Sequence, residues 1–574
     1  MSIIKLKDAF KTYTYDQDKV VSPEQTVLSF KARLESLHLD ILSKTRRIDN
    51  KRLDIPVFFS ECGIDAKKVI GTNKQMGKGG TIAQAQASAM MELAERFSFF
   101  SFMQNKENFL FRAAIKENDF DYRTIIKSVH DNDQDGFKAK KIFNNLPLRW
   151  TKAYNLTQEK EVFLPFDWFY MINEFNGTSA GNCTEEALNQ GICELVERHV
   201  CAIVSEMKSN ISGINLDSFS DPLVVEMLNK YKKQGINVYA SDFSLDTKIS
   251  SIGILAFDPI SFPIKSEIVW TAGTSCDPQK AMSRALTETA QLAGDFNSNS
   301  NYVASGLPKF TKIKDAQFVI NPDKMIDADE LPDISDNNIK IEVQNLISLL
   351  KGKNLEVFSI DTMHKGLKVP AFYSIMPGAY FKERAQDSSV GMFCAKFITQ
   401  KFEPVKALSL LGQLEEELSC KYYTSFYKGI MLAAVYDYES SVKEFESALS
   451  KNPARLNLPD IYSHMSSCLK ESGQYGKSVE ICEKALQIDE QRADILNTMG
   501  FCYFVQKEYK KAIKIFEKAI TIDPSIGINY ANIGSIYREL KQIDISIKYY
   551  EIALEIDPSI EFAKDNIKKL KKLN

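Results

Sequence analysis

Long apolar runs are missing from this sequence of 574 residues. None approaches the roughly 20 apolar residues that a membrane-crossing helix requires, so a helical membrane span is not expected. The opening MSIIKLKDAFKTY likewise carries no long apolar core of the secretory type. The ten cysteines include no CxxC and no regular spacing. Cys193, Cys201, Cys468, Cys482 and Cys502 lie in apolar runs, where a thiol behaves as a small hydrophobe. Reduced thiols in a cytoplasmic setting follow, rather than a disulfide framework. A net charge of -3 gives no overall draw towards nucleic acid or an anionic membrane. His38, His130, His199, His364 and His464 are dispersed, and none pairs with a cysteine at a recognisable spacing. That removes a structural zinc site and a Cys–His nucleophile from the expected chemistry.

What is present begins with Gly77-Lys78-Gly79-Gly80, a glycine turn that leads through a Thr81 cap into the alanine-rich segment TIAQAQASAMMELAERFSFF. Ser88, Glu92 and Glu95 stand at i, i+4 and i+7 and share one helical face, with Ala, Met, Leu and Phe around them. A carboxylate pair on a largely apolar helix needs positive charge before it, supplied by a divalent cation or a basic side chain. The same spacing recurs in EEALNQGICELVERHV with Gln190, Glu194 and Glu197, and after Asp277-Pro278 with Arg284, Glu288 and Gln291. A single triplet reads most simply as a solvated face with Glu–Arg pairs. Three with matched spacing and apolar flanks read as one site assembled from distant parts of the chain. Lys78 is a candidate for phosphate contact and equally for a solvated turn lysine; His199, Cys183 and Cys276 read as packing residues.

In chain order, a helix is expected over Pro23 to Leu42 and a strand over Leu53 to Glu61. Alternating aromatic and β-branched residues from Leu146 to Tyr170 predict antiparallel strands. Further strands are predicted at Ile236 to Ala240, Ser251 to Phe257, Val269 to Gly273, Val357 to Asp361 and Ala371 to Met376. Residues 296–338, rich in Asn, Ser, Asp and Pro, read as an exposed insertion or mobile loop. The fold class is α+β, with mixed or antiparallel sheets supporting the three helices, followed by an all-α solenoid. In the solenoid Gly500, Tyr503, Ala512, Phe516, Ala519 and Pro524 recur as Gly534, Tyr537, Ser546, Tyr550, Ala553 and Pro558, a period of 34 residues. Ser466, Tyr475, Ser478 and Ala485 hold the same frame, and Gly429, Tyr438 and Ser441 begin a degenerate copy. This is the tetratricopeptide pattern, whose stacked helix pairs offer a binding surface for peptides or proteins. Packing or homodimerisation is the other use open to it. The expected domains are 1–385, a connector at 386–420, and the repeats at 421–574.

GKGGTIAQAQASAMMELAERFS, NGTSAGNCTEEALNQGICELVERHV and DPQKAMSRALTETAQ resemble, in order, the three signature segments of the YcaO family, over roughly residues 1–385. The resemblance implies an ATP-dependent enzyme that phosphorylates a peptide amide oxygen, so that a nucleophile can attack the activated carbon and give an azoline, thioamide or amidine. It implies ATP and Mg2+ as cofactors, bound without a Walker loop or a kinase glycine loop, and neither occurs here. It makes Glu92, Glu95, Glu194, Glu197 and Glu288 the magnesium ligands that order the triphosphate. Ser88, Gln190, Arg284 and Gln291 match the remaining nucleotide positions, and Arg284 and Glu288 become the residues closest to phosphoryl transfer. Lys7-Asp8-Ala9 and Thr26 resemble the opening of stand-alone members, which makes Lys7 and Thr26 further nucleotide contacts. Those members have a helical C-terminal region and include an accessory factor for methylthiolation of a small-subunit ribosomal protein. The ending KDNIKKLKKLN departs from the proline-rich tail of many azoline-forming members, which counts against azoline formation; some thioamide-forming and accessory members also lack that tail. The expected partners are a peptide or protein substrate and, at the repeats, a methylthiotransferase or sulfur-handling protein, with no direct nucleic acid and no membrane. The alternative class is a non-catalytic ATP-binding adaptor.

Overall fold

A computed structural model describes residues 4–113, 115–116, 119–207, 211–298, 302, 306–381 and 388–572. The chain forms two compact units, Met1–Asp133 with Pro147–Ser389, and Gln134–Leu146 with Val390–Asn574.

The first unit is α+β, and its described residues hold three sheets. Leu42–Arg47, Val57–Cys62 and Lys74–Lys78 form an antiparallel three-stranded sheet in chain order. The five-stranded sheet runs Val269–Thr274, Ser251–Phe257, Asn237–Asp242, Gly213–Ile214, Met325–Ile326, antiparallel except for its last pair. The six-stranded sheet sets Leu110–Arg112, Leu148–Asn155, Phe358–Asp361, Ala371–Ile375 and Thr178–Ala180 side by side, with Lys160–Pro165 on Leu148–Asn155.

Three strands each feed a long helix after a short turn. Lys74–Lys78 precedes Ile82–Gln104, Thr178–Ala180 precedes Thr184–Glu206, and Val269–Thr274 precedes Pro278–Ala293. The helices start at Thr81, whose hydroxyl accepts from Gln84 N at 3.2 Å, at Cys183, and at Asp277, whose carboxylate accepts from Gln279 N at 2.7 Å. Close approach of strand to helix is what the glycines and alanines are for. A Cβ on Gly77 would lie 1.9 Å from Ala89 N, and one on Gly273 would lie 2.5 Å from Ala281 O. Gly77 and Lys78 therefore end a strand instead of forming the expected turn, because a small residue is needed there for contact and not for a left-handed bend. Similarly, Thr178–Ala180 makes a strand inside the expected glycine turn at 177–181.

Two further expectations are corrected. Phe166–Asn173 is a helix, not strand, and buries Phe166, Trp168, Phe169 and Ile172. Residues 296–338 are no exposed insertion: Val319, Ile326, Ala328 and Leu331 are buried, and Met325–Ile326 pairs in the five-stranded sheet. Their Asn, Ser and Pro content reflects turns between short buried pieces. Residues 299–301 and 303–305 of that stretch lie outside the described residues. The core of this unit packs the third helix (Ala281, Leu286) and the Pro222–Lys233 helix (Met227, Tyr231) on the five-stranded sheet. A second cluster packs the first helix (Met90, Leu93, Phe97) on Phe30 of the Pro23–Glu35 helix.

The second unit is helical throughout its described residues. The stretch expected as a connector holds Val390–Lys401 and Pro404–Glu417, which bury Phe393, Phe397, Leu411 and Leu414. From Tyr422 the helices alternate in the expected repeat frame. Within each pair a small residue on the first helix receives a larger one from the second: a Cβ on Gly429 would meet Phe445 at 2.6 Å, on Gly500 Phe516 at 2.8 Å, and on Gly534 Tyr550 at 3.0 Å. In the remaining copy Ser466 stands in the glycine position and the smaller Cys482 in the aromatic one, so the larger residue on the first helix faces a smaller one on the second. The hydroxyls of Ser441, Ser478 and Ser546 donate to the carbonyls of Gly429, Ser466 and Gly534 at 2.7, 2.8 and 2.7 Å.

Gly500→Val must push against the fully buried Phe516 ring. Overpacking is expected to cost the repeats about 1–3 kcal/mol, outweighing the small gain in helix propensity over glycine. Urea unfolding followed by far-ultraviolet circular dichroism reads this as a lower midpoint; an unchanged midpoint would show that the ring is not wedged against this position.

Candidate functional site

The three helices converge on one open, polar cavity of about 550 Å³. Their burial explains which side chains reach it. Between Gly191 and Val200 of the second helix, only Glu194, Glu197 and Arg198 are partly accessible, and every other position is buried. Spacing at i, i+4 and i+7 does the same on the other two helices. Ser88, Glu92 and Glu95, then Gln190, Glu194 and Glu197, then Arg284, Glu288 and Gln291 all line the cavity, joined by Thr26. Lys7 does not. Its backbone N–H donates to Glu185 Oε1 at 2.6 Å, and the basic residue that the N-terminal segment brings to the cavity is Lys19.

That segment ties the starts of all three helices together. Asp16 accepts from the Thr81 hydroxyl at 2.8 Å, Val20 N donates to Glu186 Oε1 at 2.6 Å, and Lys280 Nζ donates to Tyr15 O at 3.1 Å. Thr26 Oγ1 reaches Asn182 Oδ1 at 3.0 Å.

The carboxylates meet cations that the triplets alone did not announce. Arg96 pairs with Glu92 at 2.8 Å and with Glu95 at 3.3 Å, bonds the Thr178 hydroxyl at 3.0 Å, and lies over the Phe175 ring at 4.3 Å. Arg198 stands 3.8 Å from Glu194, whose other oxygen accepts from Gly177 N at 3.3 Å. Glu197 accepts from Thr274 N at 3.2 Å. Arg284 Nη1 donates to Gln190 Oε1 at 2.5 Å, and Lys78 forms an ion pair with Glu288. Five glutamates thus face Lys78, Arg96, Arg198 and Arg284 across one cavity. Sequence reading singled out Arg284 and Lys78 but passed over the two arginines. The signal was available: Glu92-Leu93-Ala94-Glu95-Arg96 and Glu194-Leu195-Val196-Glu197-Arg198 are the same E-L-x-E-R box on two helices.

Burial dominates the electrostatics. It holds the Glu95 carboxyl well above the usual range, with Glu92 pushing the same way and Arg96 opposing. It also raises Glu194, against the pull of Arg198 and Arg96. The Lys78 ammonium is brought down to about 7 by burial, and Arg284 and Arg198 add to that effect. Among the described residues no three or more His, Cys, Asp or Glu side chains form a compact metal-binding group. Each carboxylate is turned to its own basic or backbone partner. His199, buried and lowered to about 4, accepts from Tyr380 N at 3.0 Å and packs on that ring, as a structural histidine would. Cys183 caps a helix, Cys276 is buried, and among the described residues no helix is long and apolar enough to cross a membrane.

A protein-family profile described as YcaO cyclodehydratase, ATP- and Mg2+-binding, matches residues 76–380. Tetratricopeptide profiles match residues 459–492, 493–526 and 529–560. An uncharacterized protein of Methanothermobacter thermautotrophicus is 25% identical over 396 residues, covering 63% of this chain and 94% of its own. The ribosomal protein S12 methylthiotransferase accessory factor YcaO of Escherichia coli is 24% identical over 282 residues, 46% of this chain and 47% of its own. A heterocyclase in complex with substrate and cofactor superposes with a TM-score of 0.54 at 20% identity, over 66% of this chain and 55% of that one. YcaO from Methanopyrus kandleri bound with AMPPCP and Mg2+ gives 0.50 at 19% identity, over 65% and 95%. At these identities the structural likeness is one of fold. The chain spans about half the length of the E. coli relative and of the heterocyclase.

The raised Glu95 carboxyl has a consequence for stability. A group raised in the folded state contributes stability that is present below its ordinary pKa and lost as pH rises through the raised value. Glu95→Gln removes that loss. Parent and variant are expected to melt together near about pH 4, below the ordinary glutamate value, and the variant to melt higher at neutral pH. Thermal scans without nucleotide at both pH values check this; equal melting at neutral pH would mean that burying the charge carries no net cost.

Proposed function

This chain belongs to the YcaO family, and from that premise we propose that it uses ATP and Mg2+ to phosphorylate an amide oxygen of a peptide or protein, releasing ADP and phosphate in support of a thioamide or methylthiolation-type modification. The observation that carries the reading is the convergence of three matched polar triplets, with four cations facing them, in one cavity. The residues suit both cofactors. Glutamate and glutamine oxygens are the hard donors that magnesium prefers. Arg284 Nε is buried with no hydrogen-bond partner among the described residues, a donor available to an anionic ligand.

In this reading Glu92, Glu95, Glu194, Glu197 and Glu288 hold the metal and order the triphosphate. Ser88, Gln190, Gln291 and Thr26 position the nucleotide, and Lys7 belongs with them only if its side chain turns towards the cavity. Arg284 and Glu288 sit at the transferred phosphate, where fixed charge and position do most of the catalytic work. ATP with Mg2+ supplies the phosphoryl group that turns a poor leaving oxygen into a good one. The repeats recruit the substrate or a protein partner such as a methylthiotransferase or sulfur-handling protein. The accessory-factor name of the E. coli relative motivates that choice.

A second reading, an ATP-binding adaptor without chemistry of its own, draws on the pairing of the carboxylates with Arg96, Arg198 and Lys78. Such a cavity has most of its negative charge offset without metal and can serve as a scaffold.

Calorimetric titration with Mg·ATP is expected to show binding weakened at least about tenfold, or about 1.4 kcal/mol, in Glu92→Ala and in Glu194→Ala. Unchanged affinity in both would remove the site assignment. An ¹⁸O-labelled amide substrate distinguishes the chemistry. Label in released phosphate supports O-phosphorylation, and label in AMP indicates adenylation. ATP turnover with no label transfer indicates the adaptor.

A further inference from the structure

We infer that Lys78 is a resident counter-ion of Glu288 that makes divalent-metal binding conditional on nucleotide: its ammonium holds this carboxylate until a triphosphate draws it away. The inference rests on the ATP and Mg2+ reading above and extends it to the order in which the site fills.

The backbone around Lys78 is closely packed. Gly77 is pressed against Ala89 of the first helix, and a Cβ on Gly79 would lie 2.7 Å from Ala85 N. Lys78 itself pairs with Val57 in the three-stranded sheet. Alternation along the strand turns Lys78 away from the helix that its glycine neighbours touch, and its side chain lines the cavity and pairs with Glu288 of the third helix. The strand of one motif thereby neutralises the carboxylate of another.

The other cations are held differently. Arg96 is held by Glu92, the Thr178 hydroxyl and the Phe175 ring; Arg198 stands 3.8 Å from Glu194, and Arg284 donates to Gln190. A planar guanidinium held by several partners, as that of Arg96 is, does not leave without breaking all of them. Among the described residues, Glu288 is the one carboxylate with which Lys78 forms an ion pair. Lysine carries its charge on a flexible four-carbon stem, so the ammonium can swing while the backbone stays where the glycines hold it. Of the four cations that face the five glutamates it is the one lysine, and so the one on a flexible stem.

Charge then sets the order of binding. A divalent ion arriving alone must displace the ammonium from Glu288 and shed tightly held water, and it finds no compact carboxylate group in place of either. A triphosphate offers the ammonium a stronger partner and frees Glu288 at the same time. Metal and nucleotide therefore bind with positive coupling, each favouring the other.

The test is Mn2+ binding, read from the electron paramagnetic resonance signal of the free ion, in the full-length protein with and without a non-hydrolysable ATP analogue, with the Mn2+ that the analogue binds in protein-free solution subtracted. For the parent protein, Mn2+ is expected to bind at least about tenfold more weakly alone than with the analogue. For Lys78→Met, Mn2+ alone should bind at least about tenfold more tightly than to the parent, and adding Glu288→Gln should abolish the gain. Lys78→Arg keeps the charge, so Mn2+ alone should bind to it as weakly as to the parent. If Lys78→Met does not fold, as judged by its melting curve, Lys78→Gln takes its place. Mn2+ binding that is no tighter in a folded Lys78 variant than in the parent, while the parent binds Mn2+ with the analogue, overturns the inference and leaves the ATP reading standing. A parent protein that binds no Mn2+ even with the analogue overturns both.

Discussion

Five glutamates on otherwise apolar helices must each meet positive charge or a backbone donor, and the first unit is arranged around that requirement. Glu92 and Glu95 share Arg96, Glu194 faces Arg198 and the Gly177 N–H, Glu197 takes the Thr274 N–H, and Glu288 takes Lys78. Burial still leaves Glu95 and Glu194 with raised carboxyl pKa values. The local partners thus reduce the cost of these charges without removing it. A core of the same volume built from leucine would hold the helices more cheaply and do no chemistry.

Holding three helices at one cavity depends on contacts made far from the charges. The strand that precedes each helix packs closely against it, with glycine on the strand facing alanine on the helix in the first and third motifs. This fixes the angle at which each triplet faces inward. The N-terminal segment then joins the three starts, through Asp16 to Thr81, Val20 to Glu186, and Tyr15 to Lys280. A side chain such as Lys78 acquires its role from this frame. Its backbone is packed against the first helix at Gly77 and Gly79, and its ammonium stands at the end of a long stem beside Glu288.

The second unit follows a different rule. Three helix pairs are closed by a glycine on the first helix and an aromatic ring on the second, and the fourth has Ser466 and Cys482 in those places, a larger residue facing a smaller one. Such units add stability through neighbours.

Much was legible in the sequence because it depended on local spacing. The i, i+4, i+7 triplets, the caps at Thr81 and Asp277, the strand Ser251–Phe257 and the period of 34 residues are statements about neighbours along one chain, and backbone geometry converts them directly into faces. The convergence of the triplets followed from their being too polar for three separate buried faces. What needed the tertiary structure were relations between distant segments. Residues 296–338 looked exposed by composition, yet short apolar pieces among the polar ones are buried by a sheet that the local pattern does not show. Gly77 and Lys78 looked like a turn because glycine is ambiguous between a bend and a close contact, and only the helix lying against the strand decides which. Lys19 entered the cavity in place of Lys7 because the path of the N-terminal segment is set by its bonds to three helices. The sequence by itself determined the helices, their polar faces and the repeat, since each is a short-range consequence of spacing. Which cation neutralises which carboxylate, above all Lys78 on Glu288, was decided only in three dimensions, because ion pairing depends on distance in space and the sequence holds those residues far apart.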